Sequence, residues 1–592
     1  MECVRHVRLA GLALMLFAAP PVSAQTAPLE PMAPTREEVQ RTPATAEPAR
    51  GPRLKVSGGV ERTPCPLAEE RFKDVTITLS DVVFDNLRAL PKEALRSSYE
   101  AFLGRPAPIA IVCEIRDAAA AILNDAGYLA AVRVPPQRID AGVVRFEVVM
   151  ARLVALRVRG DAGRAESRIA NYLTPLKEKD AFSARDAERY LLLAGDIPGF
   201  DVRLTLKPAE TGTPGEVIGE VTVIRTPLDV DFNVQNFGSR QVGRVGGLLR
   251  AQLYGLTGMG DRTTIGLFSS SDFKEQQVLQ LGHDVRVGRE GMSLSGRFTY
   301  AWTSPDIPGI KVDARTMVAT GEAGFPFLRT QTANVRGAIG FDYIDQDVEL
   351  GAPGAGTDPF STDHLRVAYL RIDADATDRQ SVLGLPGYSM SEPLWRIGGS
   401  LELRQGLDIL DASERCGAGA CVLSRPFADP TAALIRFAGA AEYRPMPRLT
   451  FVFAPRAQYS SKALLSFEEF SAGNYTVGRG FDPGALTGDS GVGFQLEARM
   501  GSAVPRTLTD IAFEPFVFVD AAWVWNRDSD YTGPDPQHLT SVGGGVRLAY
   551  GDRARLDATL AFPVDRTKLA PGKDPTRLLL SLTTKLWPWT RM

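Results

Sequence analysis

Beyond its first two dozen residues, the sequence has no uncharged apolar run of the roughly 18 or more residues that a membrane helix needs. Histidine is scarce, at 4 in 592 residues, and there are only 5 cysteines. The histidines form no HxxxH pair and no Cys/His cluster, which argues against a metal site. No GxxxxGK[ST] loop is present to cradle a nucleotide phosphate. Neither sign of charge is in excess: the formal net charge is −3, and nothing in it points to a nucleic-acid partner. These absences leave a chain expected to lack catalytic residues, cofactors and metals.

What is present begins with an export signal. Arg5 and Arg8 precede the apolar run LAGLALMLFAAP, which ends in Val22-Ser23-Ala24, so residues 1–24 read as a secretory signal peptide. Without a later membrane helix, the processed chain is periplasmic, secreted or a β-barrel. Cys3 leaves with the signal. Cys65, Cys113, Cys416 and Cys421 allow three pairings in an oxidising compartment. The local pair in CGAGAC, Cys416 with Cys421, closes easily and leaves Cys65 with Cys113; the spacings do not suit a metal site.

Residues 25–71 are rich in Pro, Ala, Thr and charge, and read as a leader and linker, with a short helix possible at Thr35–Gln40. From Phe72 the pattern is globular. A strand is expected over Val75–Phe84 and a helix over KEALRSSYEAFLG. A second helix from about Ile115 to Ala126 follows, with apolar side chains at i, i+3, i+4 and i+7. Strands LAAVRV and VVRFEVV complete a β-α-α-β-β unit over residues 72–151. The order recurs over residues 152–226, with a strand at Leu153–Gly160, helices AESRIANYLTPL and SARDAERYLLLAG, and strands FDVRLTL and EVIGEVTVI. Ser183 with Asp186 three residues on makes a capping-box-like start to the second of those helices.

From residue 227 helix periodicity vanishes. In WRIGGSLELR, Trp395, Ile397, Gly399, Leu401 and Leu403 share one face, and Arg396, Ser400, Glu402 and Arg404 the other. Strand candidates begin near Leu228, Val245, Arg262, Gln276, Gly291, Thr316, Ala333, Leu365, Pro393, Ala433, Leu449, Gly491, Phe516, Leu539, Ala554 and Arg577. That even set has lengths near the roughly 9–11 residues of a tilted transmembrane strand. Short turns (Arg444–Arg448) alternate with long polar loops (Glu349–Asp363, Asp408–Pro430), and the strand near Leu365 alternates poorly enough to suggest a bulge. The expected fold is a transmembrane β-barrel of 16 antiparallel strands (227–592), with apolar side chains toward lipid and charged ones toward a wet lumen, preceded by two periplasmic α+β domains.

The segment from Ala120 to Val149 resembles the first POTRA domain of two-partner secretion transporters through Gly127-Tyr128, the run ending Pro135-Pro136-Gln137, and Ile139 followed by Gly142. End to end, the chain is similar to the transporter subunit of two-partner (type V) secretion, the haemolysin secretion/activation type of the Omp85 superfamily. The resemblance places Cys65 and Cys113 where some members carry a cysteine pair. It implies an outer-membrane transporter with POTRA domains in the periplasm, which binds an unfolded secreted exoprotein and passes it through its barrel. Outer-membrane lipid is then a partner, and periplasmic chaperones are compatible ones. The alternative within the superfamily is an insertase that assembles other barrels.

The resemblance also gives meaning to a glycine-rich stretch, FSAGNYTVGRGFDPGALTGDSG, between the eleventh and twelfth strands. Members place here a re-entrant loop (461–490) with a V-R-G-[FY] hallmark; this chain reads Gly478-Arg479-Gly480-Phe481, with Val477 one place early and Gly473, Gly488 and Asp489 at the family spacing. The family pairs the arginine with an aspartate in an F-x-D pattern on the thirteenth strand, here Phe518-Val519-Asp520. Arg479 and Asp520 are therefore the expected lumenal anchor. One decoy lies in the same stretch. The GDSG string at Gly488–Gly491 resembles a serine-protease nucleophile segment, but His283, His364 and His538 sit in no triad context.

Overall fold

The computed structural model describes residues 33–40, 53–56 (backbone only), 67, 69–88, 90–161, 163–416, 421–528, 533–565 and 575–588. The expected signal peptide and Cys65 lie outside these residues. Cys113 is disulfide-bonded.

Period-two alternation from Leu228 onward closes a barrel of sixteen antiparallel strands, each paired with the next. They are β1 (Leu228–Gln235), β2 (Gly246–Tyr254), β3 (Arg262–Ser270), β4 (Gln276–Val287), β5 (Met292–Thr303), β6 (Lys311–Arg329), β7 (Ala333–Gly351) and β8 (Thr357–Thr377). The second half comprises β9 (Trp395–Gly406), β10 (Ala433–Met446), β11 (Leu449–Ser460), β12 (Ser490–Met500), β13 (Ile511–Trp525), β14 (Gln537–Tyr550), β15 (Ala554–Pro563) and β16 (Arg577–Trp587). Strand β1 closes on β16 from Val230↔Trp587 to Gln235↔Ser581. On β9 the outward Ile397, Leu401 and Leu403 are exposed while the inward Arg404 is buried, the reverse of a soluble sheet. No helix among the described residues is long and apolar enough to cross a membrane.

Three strands start earlier than the alternation suggests: β6 at Lys311, β8 at Thr357 and β13 at Ile511. Strands β6 to β8 run 19, 19 and 21 residues, well beyond the bilayer requirement. The expected polar loop Glu349–Asp363 is consequently wrong. It is the outer ends of β7 and β8 joined by a turn at 352–356, polar because strand beyond the bilayer has no lipid to face. The suspected irregularity in β8 is real: pairing with β7 shifts between Val348↔Ser361 and Glu349↔Pro359.

The outer part of β8 also overshoots β9, which joins it only at Val367↔Gly406, and this leaves an open strand edge. The connection 407–432, called loop 5 below, covers that edge. Thr362 donates its N–H to the Val422 carbonyl at 2.6 Å, Leu407 donates to the Arg366 carbonyl at 2.7 Å, and Ser413 to the His364 carbonyl at 2.9 Å. The Cys416–Cys421 disulfide closes the loop's tip, with the Cα atoms 5.5 Å apart.

Ahead of the barrel lie two small domains. In the first, strands Asp81–Asp85, Val143–Met150 and Ala130–Arg133 form one sheet, with the middle range central. The helix at Ile111–Asp125 (α2 below) buries Val112, Ile115, Ala119 and Leu123 against that sheet. Two expectations fail here. Val75–Phe84 is broken at Leu79-Ser80 into two short strands, because Ser80 turns to donate its N–H to the Gly142 carbonyl at 2.8 Å. KEALRSSYEAFLG folds as 3₁₀ turns (Lys92–Ser98, Glu100–Phe102) rather than an α-helix. In the second domain the helices α3 (Glu166–Lys177) and α4 (Ala184–Gly195) pack Leu173, Leu191 and Leu193 against Leu204 and Val221 of the sheet.

The leader is not featureless. Arg53–Val56 forms an edge strand parallel to Phe200–Pro208 of the second domain, with Arg53 paired to Arg203. The short helix α1 (Arg36–Val39), capped reciprocally by Thr35 and Glu38, sits inside the barrel. There Val39 packs with Leu248, Phe268, Val278 and Ala301 of the wall. Gln280 donates to the Val39 carbonyl at 3.2 Å, and Gln346 to that of Pro34 at 3.3 Å. Beside α1 remains a polar cavity of about 530 Å³ whose lining includes Arg250, Arg297, Arg371, Arg456 and Asp342.

Candidate functional site in the barrel lumen

The connection 461–489 between β11 and β12, loop 6 below, folds back into the lumen as a hairpin of Phe470–Ala472 on Leu486–Gly488. Its tip carries Arg479 to the wall, where the alternation of β13 turns Phe516, Phe518 and Asp520 inward. The guanidinium makes a fork with Asp520: Nε donates to Oδ2 at 2.9 Å and Nη2 to Oδ1 at 2.6 Å, and the Arg479 backbone N–H adds a third bond to Oδ2 at 3.0 Å. It lies 3.6 Å over the Phe518 ring. Burial opposes the Arg479 charge, but Asp520 and Glu497 outweigh that and raise its pKa above the ordinary guanidinium value.

The pair belongs to a larger network. Arg479 also donates to Glu497 of β12 at 2.5 Å, and Arg547 of β14 bridges Glu497 (3.1 Å) and Glu514 (3.0 Å). Arg499 closes on Glu497 at 2.6 Å. Three guanidiniums thus face three carboxylates across β12, β13 and β14. Sequence reasoning left out Glu497, although it stands on the polar face of FQLEARM and pairs with Phe518 in register.

The rest of the tip spans the barrel closure. Asp482 takes ion pairs from Arg577 of β16 at 2.7 Å and Arg244 of the β1–β2 loop at 3.2 Å. Arg577 also donates to the Phe481 carbonyl, and Asn474 donates to that of Phe237 at 2.6 Å. Phe481 and Val477 are buried with Leu539 and Val524.

Gly478 stands where the family pattern has valine, and the geometry explains why glycine suits this chain. Its φ is +118°, and a Cβ there would lie 2.6 Å from Leu539 Cδ1. Gly480 packs against Ser541 and Pro563, and Gly473 beneath Asp482. At the loop's exit, beyond Gly488, Asp489 is fully buried and accepts from Arg425 of loop 5 at 2.5 Å and from the backbone N–H groups of Leu464 and Arg527 at 2.6 Å each. The GDSG aspartate is therefore a clasp joining three outer loops.

The remaining sequence-selected residues lie far from the lumen and do structural work. Gly127 accepts from the Ala184 N–H at 2.7 Å and Tyr128 bridges Ser183, so both form the joint between the two small domains. After Pro135-Pro136, Gln137 exchanges bonds with the backbone of Arg145 (2.7 and 2.8 Å), tying that connection to the central strand. Gly142 is needed for its φ of +75° and because a Cβ would lie 2.2 Å from the Thr78 carbonyl.

The second domain is bolted to the turns after β2, β4 and β6. Asp196 grips Arg329 through two 2.7 Å bonds, Glu188 accepts from the Gln331 N–H at 2.7 Å, and Arg289 pairs with Glu178 at 2.9 Å. Arg164 donates to the Leu256 carbonyl at 3.2 Å.

A closed, lipid-facing barrel with an arm of two small α+β domains beneath it defines an outer-membrane β-barrel protein with periplasmic POTRA domains. Residues 77–150 match the family described as POTRA domain, ShlB-type, and residues 393–548 match Haemolysin secretion/activation protein ShlB/FhaC/HecB. The Heme/hemopexin transporter protein HuxB of Haemophilus influenzae (strain 86-028NP) is 21% identical over 204 residues, 33% of this chain and 35% of that protein. The match thus spans about a third of that relative's length. The structure of CdiB from Escherichia coli superposes with a TM-score of 0.68 at 15% identity, covering 90% of this chain and 94% of that one. BamA from Haemophilus ducreyi lacking POTRA domains 1–3 superposes with a TM-score of 0.50 at 14% identity, over 86% of this chain and 100% of that one. Over residues 77–150 and 393–548 the chain thus resembles haemolysin secretion/activation proteins of the ShlB/FhaC/HecB type, and over nearly its whole length it shares the fold of CdiB.

Proposed function

We propose that this protein exports a secreted exoprotein, capturing it unfolded at the POTRA arm and passing it through the barrel to the cell surface. The observation that carries the reading is the combination of an arm of two small domains fixed to the barrel with a polar lumen occupied by loop 6 and α1. An incoming extended chain can add to a sheet edge through main-chain bonds, which tolerates variable client sequence. In the second domain, one edge of the sheet is taken by Arg53–Val56, so the opposite edge strand, Arg152–Gly160, is the open one among the described residues. The arm docks beneath the turns after β2, β4 and β6. Helix α1 fills part of the path and shifts when a client passes.

The protein is read as non-catalytic. With no nucleotide loop in the sequence, folding of the client at the outer face is the natural source of direction. The family implies an exoprotein of the matching secretion type as the partner; its identity is set by that client's own chemistry.

Assembly of other barrels is the competing role, supported by the fold-level likeness to BamA. Depletion of this protein separates the two. Loss of one or a few large surface or secreted proteins, with the outer-membrane barrel inventory intact, is the expected result; a general fall in outer-membrane barrels would replace export with assembly.

A further inference from the structure

The Arg479 anchor holds only the tip of loop 6. Its stem is held by a second charged cluster on a different part of the wall. Ser466–Glu468 forms a single 3₁₀ turn, with Phe467 and Leu465 buried against Val318, Ile344, Leu365 and Val367 of β6 to β8. That turn aims Glu468 at the lumenal faces of β9 and β10. Glu468 Oε1 accepts from Arg404 Nη2 at 2.7 Å, and Oε2 accepts from Arg404 Nε at 3.1 Å and Arg436 Nη2 at 2.6 Å. Its backbone carbonyl accepts from Arg436 at 2.9 Å and Gln458 at 2.8 Å. Arg404 is satisfied further by Asp342 of β7 (2.8 Å) and Glu402 (2.9 Å).

A pore-lining carboxylate is ordinarily wet and weakly paired. The Glu468 and Arg404 side chains are each only 4% exposed, and both carboxylate oxygens of Glu468 are matched in a fork. Its partners sit on β9 and β10, whereas those of Arg479 sit on β12 and β13, so the two clusters share no residue. Ten residues separate Glu468 from Arg479, and the short hairpin between them links one station to the other.

We propose that Glu468 is a second, independent anchor of loop 6, a positioning residue that keeps the stem lodged against β9–β11 when the tip has left Asp520. Releasing the tip then swings the tip end of the hairpin without extracting the loop from the barrel. The inference deepens the transport reading of loop 6, but its test involves no client and stands or falls separately from export.

The test uses the purified full-length protein in liposomes, with near-isosteric reporters at two buried positions: Thr476→Cys at the tip and Ser471→Cys in the stem. Both are labelled with a membrane-impermeant maleimide, and heat-modifiable migration verifies that each barrel is folded. In an Arg479→Ala background, tip labelling should rise at least tenfold while stem labelling stays within twofold of the parent. Adding Glu468→Ala should raise stem labelling at least tenfold. Adding Glu468→Gln instead, which retains an acceptor but not the charge, should give an intermediate rate and covers the case in which the alanine variant fails to fold. The proposal is overturned if Arg479→Ala alone frees the stem as fully as the double variant, or if neither Glu468 change alters stem labelling.

Discussion

In the second POTRA domain the buried side chains are Leu173, Leu191, Leu193 and Leu204, while in the barrel those at β9, β12 and β13 include Arg404, Glu497 and Asp520. The same chain therefore uses two kinds of core. Where water surrounds the fold, apolar packing is directed inward and tolerates only volume-conserving change. Where lipid surrounds it, the apolar side chains face out, and the interior is held by matched charge. On the proposed export role, function resides in the second kind, since polar contacts between a loop and a wall are the ones a passing polypeptide could exchange.

Four changes would break or sharpen that contrast. The largest effect is expected from Asp520→Ala, which removes the fork and the backbone bond at Arg479 and leaves its charge facing Glu497 alone; it should cost loop docking about 3–5 kcal/mol, read as proteolytic nicking of loop 6 in intact vesicles. Leu173→Ala should destabilise the second POTRA domain by about 2–5 kcal/mol through an apolar cavity, measured by pulse proteolysis of the arm in the full-length protein, and should leave barrel heat-modifiability unchanged. On β9, Leu401→Arg places a charge in lipid and should cost about 2–4 kcal/mol near the midplane, whereas Ser400→Arg one residue away enters the polar lumen and should be nearly neutral. Urea titration of barrel folding into vesicles compares them directly; equal costs would remove the inside-out argument.

The smallest effect concerns Glu469 in the stem of loop 6. Burial pushes its carboxyl up to about 7, with Arg425 pulling down and the Asp489 charge pushing up. One guanidinium serves two carboxylates, so a proton is retained in the folded loop. Because the folded pKa lies above the ordinary value of 4.5, this contribution is full below that value and is lost as pH rises through about 7. Protease sensitivity of loops 5 and 6 should therefore grow between pH 5 and 8, and Glu469→Gln should flatten the profile.

Much of the architecture was legible because strand alternation is a local signal: a single lipid-facing row such as Ile397, Leu401 and Leu403 reveals the class without knowledge of any partner strand. The outer ends of β7 and β8 were not legible, since beyond the bilayer neither face is forced to be apolar. The first POTRA domain misled in a different way, because a 3₁₀ turn and an α-helix share composition and differ only in packing. Within the lumen, Arg479 and Asp520 were visible through their motifs. Glu468, Arg404 and Arg436 carry no motif; they become a cluster only when β9 and β10 are placed beside the loop stem. The plug position of α1 is likewise a tertiary fact, since TREEVQ alone states a cap and a charge pattern but not a lumen to occupy.

The central claim is that a loop pinned inside the barrel by Arg479 governs passage of a client. It is tested most directly by replacing the chromosomal copy with Arg479→Ala and measuring, in the same cells, barrel abundance in the outer membrane and the amount of client at the surface and in the medium. The account predicts a folded barrel at wild-type abundance with export abolished. Wild-type export by that variant would contradict it.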